Sequence, residues 1–205
     1  METNKSSQCT ATIQNKLSEF QLFLRQLALQ GGPTSRDHFE FTKWLHAIAA
    51  LKEAGLVSHE EVRKLCVELG EAMTTNTMQG FAMAKPHGYS GDFEIIERIY
   101  SKWISPIPHL SNWDVYFHQQ AAPEAVRNRK RYFLNWLCSF EAKRDGETIR
   151  LLNVGSGPAR DVREYYVENP RTKVFADCVE QDAQAIEFGT KLCEPFAERV
   201  RFHTA

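Results

Sequence analysis

The sequence predicts an α/β protein, in which a helical N-terminal part is followed by the first half of a doubly wound parallel sheet. Up to about residue 145, apolar side chains recur mostly at helical spacing. From Thr148 onward, short apolar runs alternate with helical patterns, which is typical of a parallel sheet with helical crossovers. The turn Gly155-Ser156-Gly157-Pro158 joins the first of these runs to the first of these helices. We therefore predict two domains, a helical region at 1–145 and a sheet domain at 146–205.

The composition is that of an ordinary globular protein, with 42% hydrophobic and 25% charged residues in 205. A net charge of -1 provides no electrostatic basis for binding nucleic acid or an anionic membrane surface. No apolar run approaches the roughly 18 residues of a transmembrane helix. The polar N-terminus, METNKSSQCTATIQNK, lacks the apolar centre of a signal peptide and is expected to be a frayed tail.

Five cysteines are scattered without a CxxC pair. An odd, unpatterned set without an export signal favours free thiols in a reducing compartment, and hence a cytoplasmic protein. The early histidines are too far apart in sequence to indicate a metal site, so no metal is predicted.

The first 80 residues are predicted to form a small helical bundle. One helix covers 14–30 and ends at Gly31-Gly32-Pro33, and a second covers 37–54. Ser58 and Glu61 form a capping box that begins a third helix.

The segment AMAKPHGYSGDFEIIERIY, residues 82–100, combines a proline and two glycines with an amphipathic helix. Glycines in such a loop shape a turn whose backbone comes close to another group, as at a binding site. Composition alone favours the alternative, a structural connector between helices.

A further helix is predicted to begin at Pro123, within PEAVRNRKRYFLNWLCSF. Its expected buried stripe is Val126, Phe133, Trp136, Leu137 and Phe140. Its basic cluster is Arg127, Arg129, Lys130 and Arg131. The cluster is interpreted either as a solvated face or as a contact with one anionic group of a ligand.

The C-terminal part is predicted to contain three strands and two helices. The strands are expected at 148–154, 173–179 and 199–203, and the helices at 160–169 and 182–196.

Gly155 and Gly157 remove side chains at the carboxyl end of the first strand, where ligands of open parallel sheets bind. Glu180 follows the second strand and could accept hydrogen bonds from both hydroxyls of a ribose. A glycine turn with an acid at the neighbouring strand end predicts a nucleoside site.

Arg160 stands where a dinucleotide motif has its third glycine, and the following Asp161 would repel a pyrophosphate. No Gly-Lys-Ser/Thr follows the turn, which excludes a P-loop. S-adenosylmethionine, which has a ribose and a zwitterionic amino acid end but no phosphate, fits better. An NAD-dependent enzyme is the second, disfavoured enzyme interpretation.

LLNVGSGPARDV followed by VEQDAQAIEFG resembles the first two strand ends of class I S-adenosylmethionine-dependent methyltransferases, whose domain is Rossmann-like. KPHGYSGDFEIIERIY and RNRKRYFLNWL resemble a bacterial family of 3-hydroxypalmitic acid methyl ester (extracellular factor) biosynthesis. The resemblance covers roughly residues 80–205.

The resemblance implies methyl transfer from S-adenosyl-L-methionine to a small, fatty-acid-like carboxylate or hydroxyl acceptor. A carboxylate acceptor needs no general base, because it is already ionised at neutral pH. The resemblance assigns no catalytic residue. The cofactor-binding residues that it implies are Gly155, Ser156, Gly157, Pro158, Glu180, Gln181, Tyr89, Asp92 and Arg127.

The chain supplies only part of the sheet of such a domain, so we expect a C-terminally incomplete piece of a longer enzyme that is inactive alone. The strand at Leu151–Val154 would then present an apolar edge, which a homodimer could complete. The alternative function is a non-catalytic interaction or assembly module with a truncated nucleotide-binding fold.

Overall fold

The computed structural model describes residues 2–144 and 146–205, with residues 2–10 described by backbone alone. The helices before the sheet are α1 (Glu2–Leu29), α2 (His38–Glu53), α3 (His59–Val67), α4 (Met78–Ala84), α5 (Phe93–Ser101), α6 (Ser111–His118) and α7 (Ala121–Ala142). They are followed by β1 (Ile149–Val154), α8 (Arg160–Glu168), β2 (Val174–Glu180), α9 (Ala183–Leu192) and β3 (Val200–Thr204). Short 3-10 helices lie at Gly70–Met73, Pro108–Leu110 and Glu194–Phe196. The predicted α/β class, helical first and then a partial parallel sheet, is confirmed.

The chain divides into two compact units. The first runs to Ser90 and includes Lys102–Gln120, and the second comprises Gly91–Ser101 and Ala121–Ala205. This division differs from the boundary expected at residue 145, because α5 and α7 belong to the unit that contains the sheet. Leu134 and Leu137 of α7 share an apolar cluster with the strands, where they cover one face of the sheet.

In the first unit, α1, α2, α3 and α6 pack around one apolar cluster that includes Phe20, Phe41 and Trp113. The capping box is confirmed: the Ser58 hydroxyl accepts the Glu61 amide, and the Glu61 carboxylate accepts the Ser58 amide at 2.8 Å. The expected frayed tail is wrong, because α1 begins at Glu2. Residues 2–16 contain neither glycine nor proline, so no residue there interrupts a helix.

In the second unit, the strands are all parallel in the order β1-β2-β3. β1 therefore pairs on one side only among the described residues. Its exposed side chains include Leu152 and Val154, at 65% and 71% of their full exposure. The apolar edge expected at this strand is present.

The buried face of α7 differs from the predicted stripe. Leu134 and Leu137 are buried, whereas Trp136 is 46% exposed and stacks on Phe140 with 5.3 Å between ring centroids. The prediction counted every apolar residue toward one face, but two aromatic rings four residues apart can pack on each other along the outside of a helix.

Gly189 lets α9 lie close to the turn before α8. A Cβ atom at this position would lie 2.9 Å from the Pro158 Cα and 2.7 Å from the Phe202 ring. Gly189→Ala should therefore lower the free energy of unfolding by about 1–3 kcal/mol through overpacking, although alanine is the better helix former. Urea unfolding checks this, with Thr190→Ala on the exposed face of α9 as control. A more stable Gly189→Ala protein would contradict the close packing.

No helix among the described residues is both long and apolar enough to cross a lipid bilayer. Within the same residues, no cluster of three or more histidine, cysteine or acidic side chains could hold a metal ion.

Candidate functional site

The candidate site is centred on the turn between β1 and α8. Gly155 and Gly157 have φ angles of +64° and +52°, in the left-handed region that glycine adopts readily. A Cβ atom on Gly155 would meet nothing within 4 Å, and one on Gly157 would meet only the Phe93 Cβ at 3.9 Å. The turn therefore has open space beside its backbone.

The amide groups of this turn are already hydrogen-bonded within the protein. The amides of Gly155 and Ser156 donate to the Val179 carbonyl at 2.9 and 3.2 Å, and the Gly157 amide donates to Glu180 Oε2 at 2.7 Å. A phosphate-binding turn instead directs its amides at the ligand. These three donors are thus not arranged to cradle a phosphate.

Glu180 is the last residue of β2, and its side chain ties the ends of two strands together. Besides the Gly157 amide, its carboxylate accepts the amides of Gln181 at 2.8 Å and Asp182 at 3.0 Å. A carboxylate offers about four acceptor positions, so three backbone bonds leave capacity for a ligand hydroxyl. The acid is held in a fixed orientation at the strand end where the sequence analysis expected it.

The first turn of α8 carries an acid whose carboxylate is used by the helix itself. Asp161 Oδ1 accepts the Val162 amide at 2.8 Å. Burial raises the pKa of this carboxyl above its usual range. The positive end of the helix dipole therefore already has an acidic side chain beside it.

Arg160, which occupies the position of the third glycine of a dinucleotide motif, is already paired with an acid. Its guanidinium forms an ion pair with Glu97 of α5, which is 8% exposed. Burial raises the pKa of the Glu97 carboxyl, and the guanidinium opposes that rise. The arginine that could have attracted a pyrophosphate is thus neutralised by a buried acid.

The start of α5 borders the turn through Phe93, which directly follows the capping residue Asp92. Asp92 is 2% exposed, and its carboxylate accepts the Ile95 amide at 2.9 Å, which caps this helix. Phe93 lies beside Gly157 and packs against Phe188 of α9, with 6.0 Å between ring centroids. The GD end of the KPHGYSGD loop therefore reaches the glycine turn, and Asp92 has a structural role there.

The other predicted site residues lie in different settings. Ser156 is half-buried, and its hydroxyl donates to the Gly157 carbonyl at 3.1 Å. Pro158 is buried next to α9, and Gln181 is exposed after β2. Arg127 is half-buried on α7, and Tyr89, at 39% exposure, belongs to the first unit. The roles of these residues in cofactor binding stay predictions.

The basic cluster of α7 is partly used inside the second unit. Lys130 pairs with Glu164 of α8 at 2.5 Å and lies 4.6 Å from the centroid of the Tyr100 ring. Burial raises the pKa of the Tyr100 hydroxyl, and the Arg129 guanidinium opposes that rise. These contacts join α5, α7 and α8. For Lys130, the structure therefore shows a contact between helices, beside the two roles that the sequence left open for this cluster.

Glu97 was not recognised in the sequence, although a signal was present. It lies four residues after Phe93 and three before Tyr100, so the acid shares a helical face with two aromatic residues. An acid on such a face must be paired when the helix packs.

The cysteines in the second unit are core residues. Burial raises the pKa of Cys178 to about 12 and that of Cys193 to about 11. Thiols with such pKa values are poor nucleophiles at neutral pH. Cys66 and Cys138 are also free thiols, and the Cys9 side chain lies outside the described residues.

No family model and no curated protein matches this chain. Among solved structures, the chain is similar to the crystal structure of a possible exported protein from Bordetella parapertussis, with a TM-score of 0.39 and 15% sequence identity. The similarity covers 93% of this chain and 53% of the other, so the chain spans about half the length of that structure. A similarity at this level identifies neither a family nor an activity.

Proposed function

We propose that this chain carries the S-adenosyl-L-methionine site of a methyltransferase that acts on a small, fatty-acid-like carboxylate or hydroxyl acceptor. The observation that carries the proposal is the Glu180 carboxylate, fixed at the carboxyl end of β2 through the Gly157 amide at 2.7 Å. It lies beside a turn whose Gly155 has open space where a side chain would be. With three of its acceptor positions used by backbone amides, an acid in this position can still accept a hydrogen bond from one hydroxyl of a ribose, rather than from both as the sequence predicted.

The same geometry supports a ligand without phosphates. The amides of Gly155, Ser156 and Gly157 are hydrogen-bonded to β2, so little donor capacity faces a pyrophosphate. Asp161 adds a negative charge at the start of α8, where a dinucleotide would place its phosphates. Both features argue against NAD and favour a nucleoside that bears a cationic or neutral group.

In this proposal, the residues of the chain bind the cofactor and orient it. Glu180 would hold the ribose, the Gly155–Gly157 backbone would approach the amino acid end, and Phe93 would help to exclude water from the turn. Bound S-adenosyl-L-methionine would supply an activated methyl group, whose transfer depends on alignment and on the exclusion of water. An ionised carboxylate acceptor requires no proton transfer.

Glu180→Gln should weaken the binding of S-adenosyl-L-methionine by about ten- to a hundredfold, the scale of a lost charged hydrogen bond. Glutamine keeps one acceptor oxygen for the turn, so folding should change less than in Glu180→Ala. Isothermal titration calorimetry measures the affinity. Adenosine binding should weaken in parallel, because both ligands contain the ribose.

Glu187→Gln serves as the control, since Glu187 is exposed on α9 and pairs with Lys191 at 2.6 Å. Tighter binding of NAD than of S-adenosyl-L-methionine to the unaltered protein would refute the proposed cofactor. Unchanged affinity in a folded Glu180→Gln protein would remove this residue from the site. Transfer of a labelled methyl group to long-chain carboxylates would then test the reaction, in this chain and in any longer form.

An interaction or assembly module is the second candidate function, and the edge strand β1 favours it. Leu152 and Val154 are largely exposed there, and Phe175 on β2 is 40% exposed. An edge with unpaired backbone groups and apolar side chains is a template for association. A homodimer that joins the sheets at β1 would bury this edge, and sedimentation at several concentrations distinguishes it from a monomer.

A further inference from the structure

We propose that the first unit binds the hydrocarbon chain of a monocarboxylate in an apolar groove lined by α1, α2 and α3, where Lys52 pairs with the carboxylate. The groove has a volume of about 270 Å³. The residues that line it belong to the first unit, whereas the Gly155–Gly157 turn belongs to the second. The inference therefore goes beyond the proposed function and does not depend on it.

The apolar lining of the groove runs from the core of the first unit to the solvent. Phe20 and Leu24 of α1 and Phe41 of α2 line it and are buried. Leu45 of α2 lines it as well, and this side chain is 40% exposed. A concave surface of this kind gains free energy when an apolar ligand covers it and removes it from water.

The groove is preformed, because α2 and α3 are each attached to α1. Trp44 of α2 stacks on Phe20, with 5.2 Å between ring centroids. Directly after α3, Glu68 forms an ion pair with Arg25 and accepts a hydrogen bond from the Gln21 side chain at 2.5 Å. These contacts fix α2 and α3 on α1 without joining them to each other, so no rearrangement is needed before a ligand enters.

Two small side chains leave the volume of the groove unfilled. Ala49 of α2 and Cys66 of α3 line it at positions where a leucine or phenylalanine would occupy part of the space. Cys66 is a half-buried free thiol, and burial raises the pKa of that thiol. At neutral pH it therefore adds an uncharged, largely apolar group to the wall.

The chemical class of the ligand follows from charge complementarity. Within the part of the chain that the structure describes, Lys52 is the only charged residue that lines the groove. It is exposed in the last turn of α2 and forms no ion pair with a described residue. A lysine there also complements the helix dipole, but that role requires no groove beside it. A single anionic group on a hydrocarbon chain, as in a fatty acid, suits both the ammonium and the apolar lining.

The first experiment compares three ten-carbon ligands that differ in their head groups: decanoate, decanol and decylamine, which are anionic, neutral and cationic at pH 7. Calorimetry on the full chain should give the affinity order decanoate, decanol, decylamine. Lys52→Gln should weaken decanoate binding about two- to fivefold, the scale of an exposed ion pair, and leave decanol binding unchanged. Lys43→Gln is the matched control, because Lys43 lies on the opposite side of α2 and pairs with Glu40 at 3.4 Å.

The second experiment tests the groove itself. From hexanoate to dodecanoate, each added methylene should raise the affinity up to about fourfold, until the chain outgrows the groove. Ala49→Trp fills the groove from an exposed helix position and should weaken decanoate binding about tenfold or more, the scale of two methylenes left unburied. Ala47→Trp, on the other side of α2, is the control and should bind normally. Circular dichroism melting verifies that each variant is folded.

Alkylation by iodoacetamide, followed by peptide mass spectrometry, locates the bound chain. Decanoate should slow the alkylation of Cys66 and leave that of Cys138, a half-buried thiol of the second unit, unchanged. Equal decanoate affinity in the unaltered protein and folded Ala49→Trp would overturn the proposal, as would an unprotected Cys66 at saturation. A dimer in sedimentation that Ala49→Trp dissociates, with no decanoate binding, would assign the groove to a second copy and overturn it too. S-adenosyl-L-methionine binding is measured separately, so the failure of one proposal leaves the other standing.

Discussion

Asp114→Ala should strongly destabilise the first unit, because two backbone amides depend on this fully buried carboxylate. Asp114 lies on α6 and accepts the amides of Met78 and Ser105, each at 2.7 Å. Alanine leaves both amides without this acceptor, at a cost of about 1–3 kcal/mol for each buried donor. The carboxylate joins α6 to the start of α4 and to the segment before α6, so its loss loosens three parts of the unit.

Urea unfolding followed by tryptophan fluorescence measures the effect, since three of the four tryptophans, Trp44, Trp103 and Trp113, lie in the first unit. Asp114→Asn should fall between the alanine variant and the unaltered protein, because the amide keeps one acceptor oxygen but adds donors. Glu40→Ala removes a charge from a half-buried site on α2 as control. A loss below about 1 kcal/mol in Asp114→Ala would show that these amides find other acceptors.

Gly80→Ala should also destabilise the first unit, although helix propensity alone predicts a gain of about 1 kcal/mol. A Cβ atom on Gly80 would lie 1.9 Å from the Thr74 carbonyl oxygen and 2.6 Å from the Met73 carbonyl carbon. Both atoms belong to the backbone, so no side-chain rotation relieves the clash. The expected loss is about 3 kcal/mol or more, the upper end of overpacking.

Helix propensity and overpacking predict opposite signs for the change in the free energy of unfolding. Thermal or urea unfolding measures that sign. Gly55→Ala is the matched control, because Gly55 has a φ of +69° and nothing within 4 Å of its built Cβ. That variant should lose about 1–2 kcal/mol from backbone strain alone. A Gly80→Ala protein as stable as the unaltered one would mean that α4 is not packed against the 3-10 helix before it.

Local signals identified much of the candidate site. Gly155 and Gly157 follow an apolar run and precede a helical pattern, and Glu180 ends the next run. Strand, turn and helix starts depend on residues that are close in sequence, so their pattern is readable. The capping box of Ser58 and Glu61 is a three-residue interaction of the same kind.

Contacts between residues far apart in sequence could not be predicted from such local patterns. Glu97 and Arg160 are 63 residues apart, and the sequence marks neither as the partner of the other. The amphipathic patterns of α5 and α7 predicted an apolar face for each helix but not that each would join the sheet. The prediction that Trp136 is buried was wrong for the same reason. Hydrophobic periodicity identifies an apolar helix face, but it does not identify the element that packs against that face.

The sequence by itself determined the α/β class, the order of strands and helices from β1 onward, and the glycine turn with an acid at the next strand end. Hydrogen bonds and side-chain periodicity within short segments are sufficient for those features. Only the tertiary structure decided that Phe93 of α5 lies beside Gly157, that the turn amides are bonded to β2, and that Glu97 neutralises Arg160. Each of these contacts joins segments distant in sequence, and their pairing is set by how the helices and the sheet bury their apolar faces together.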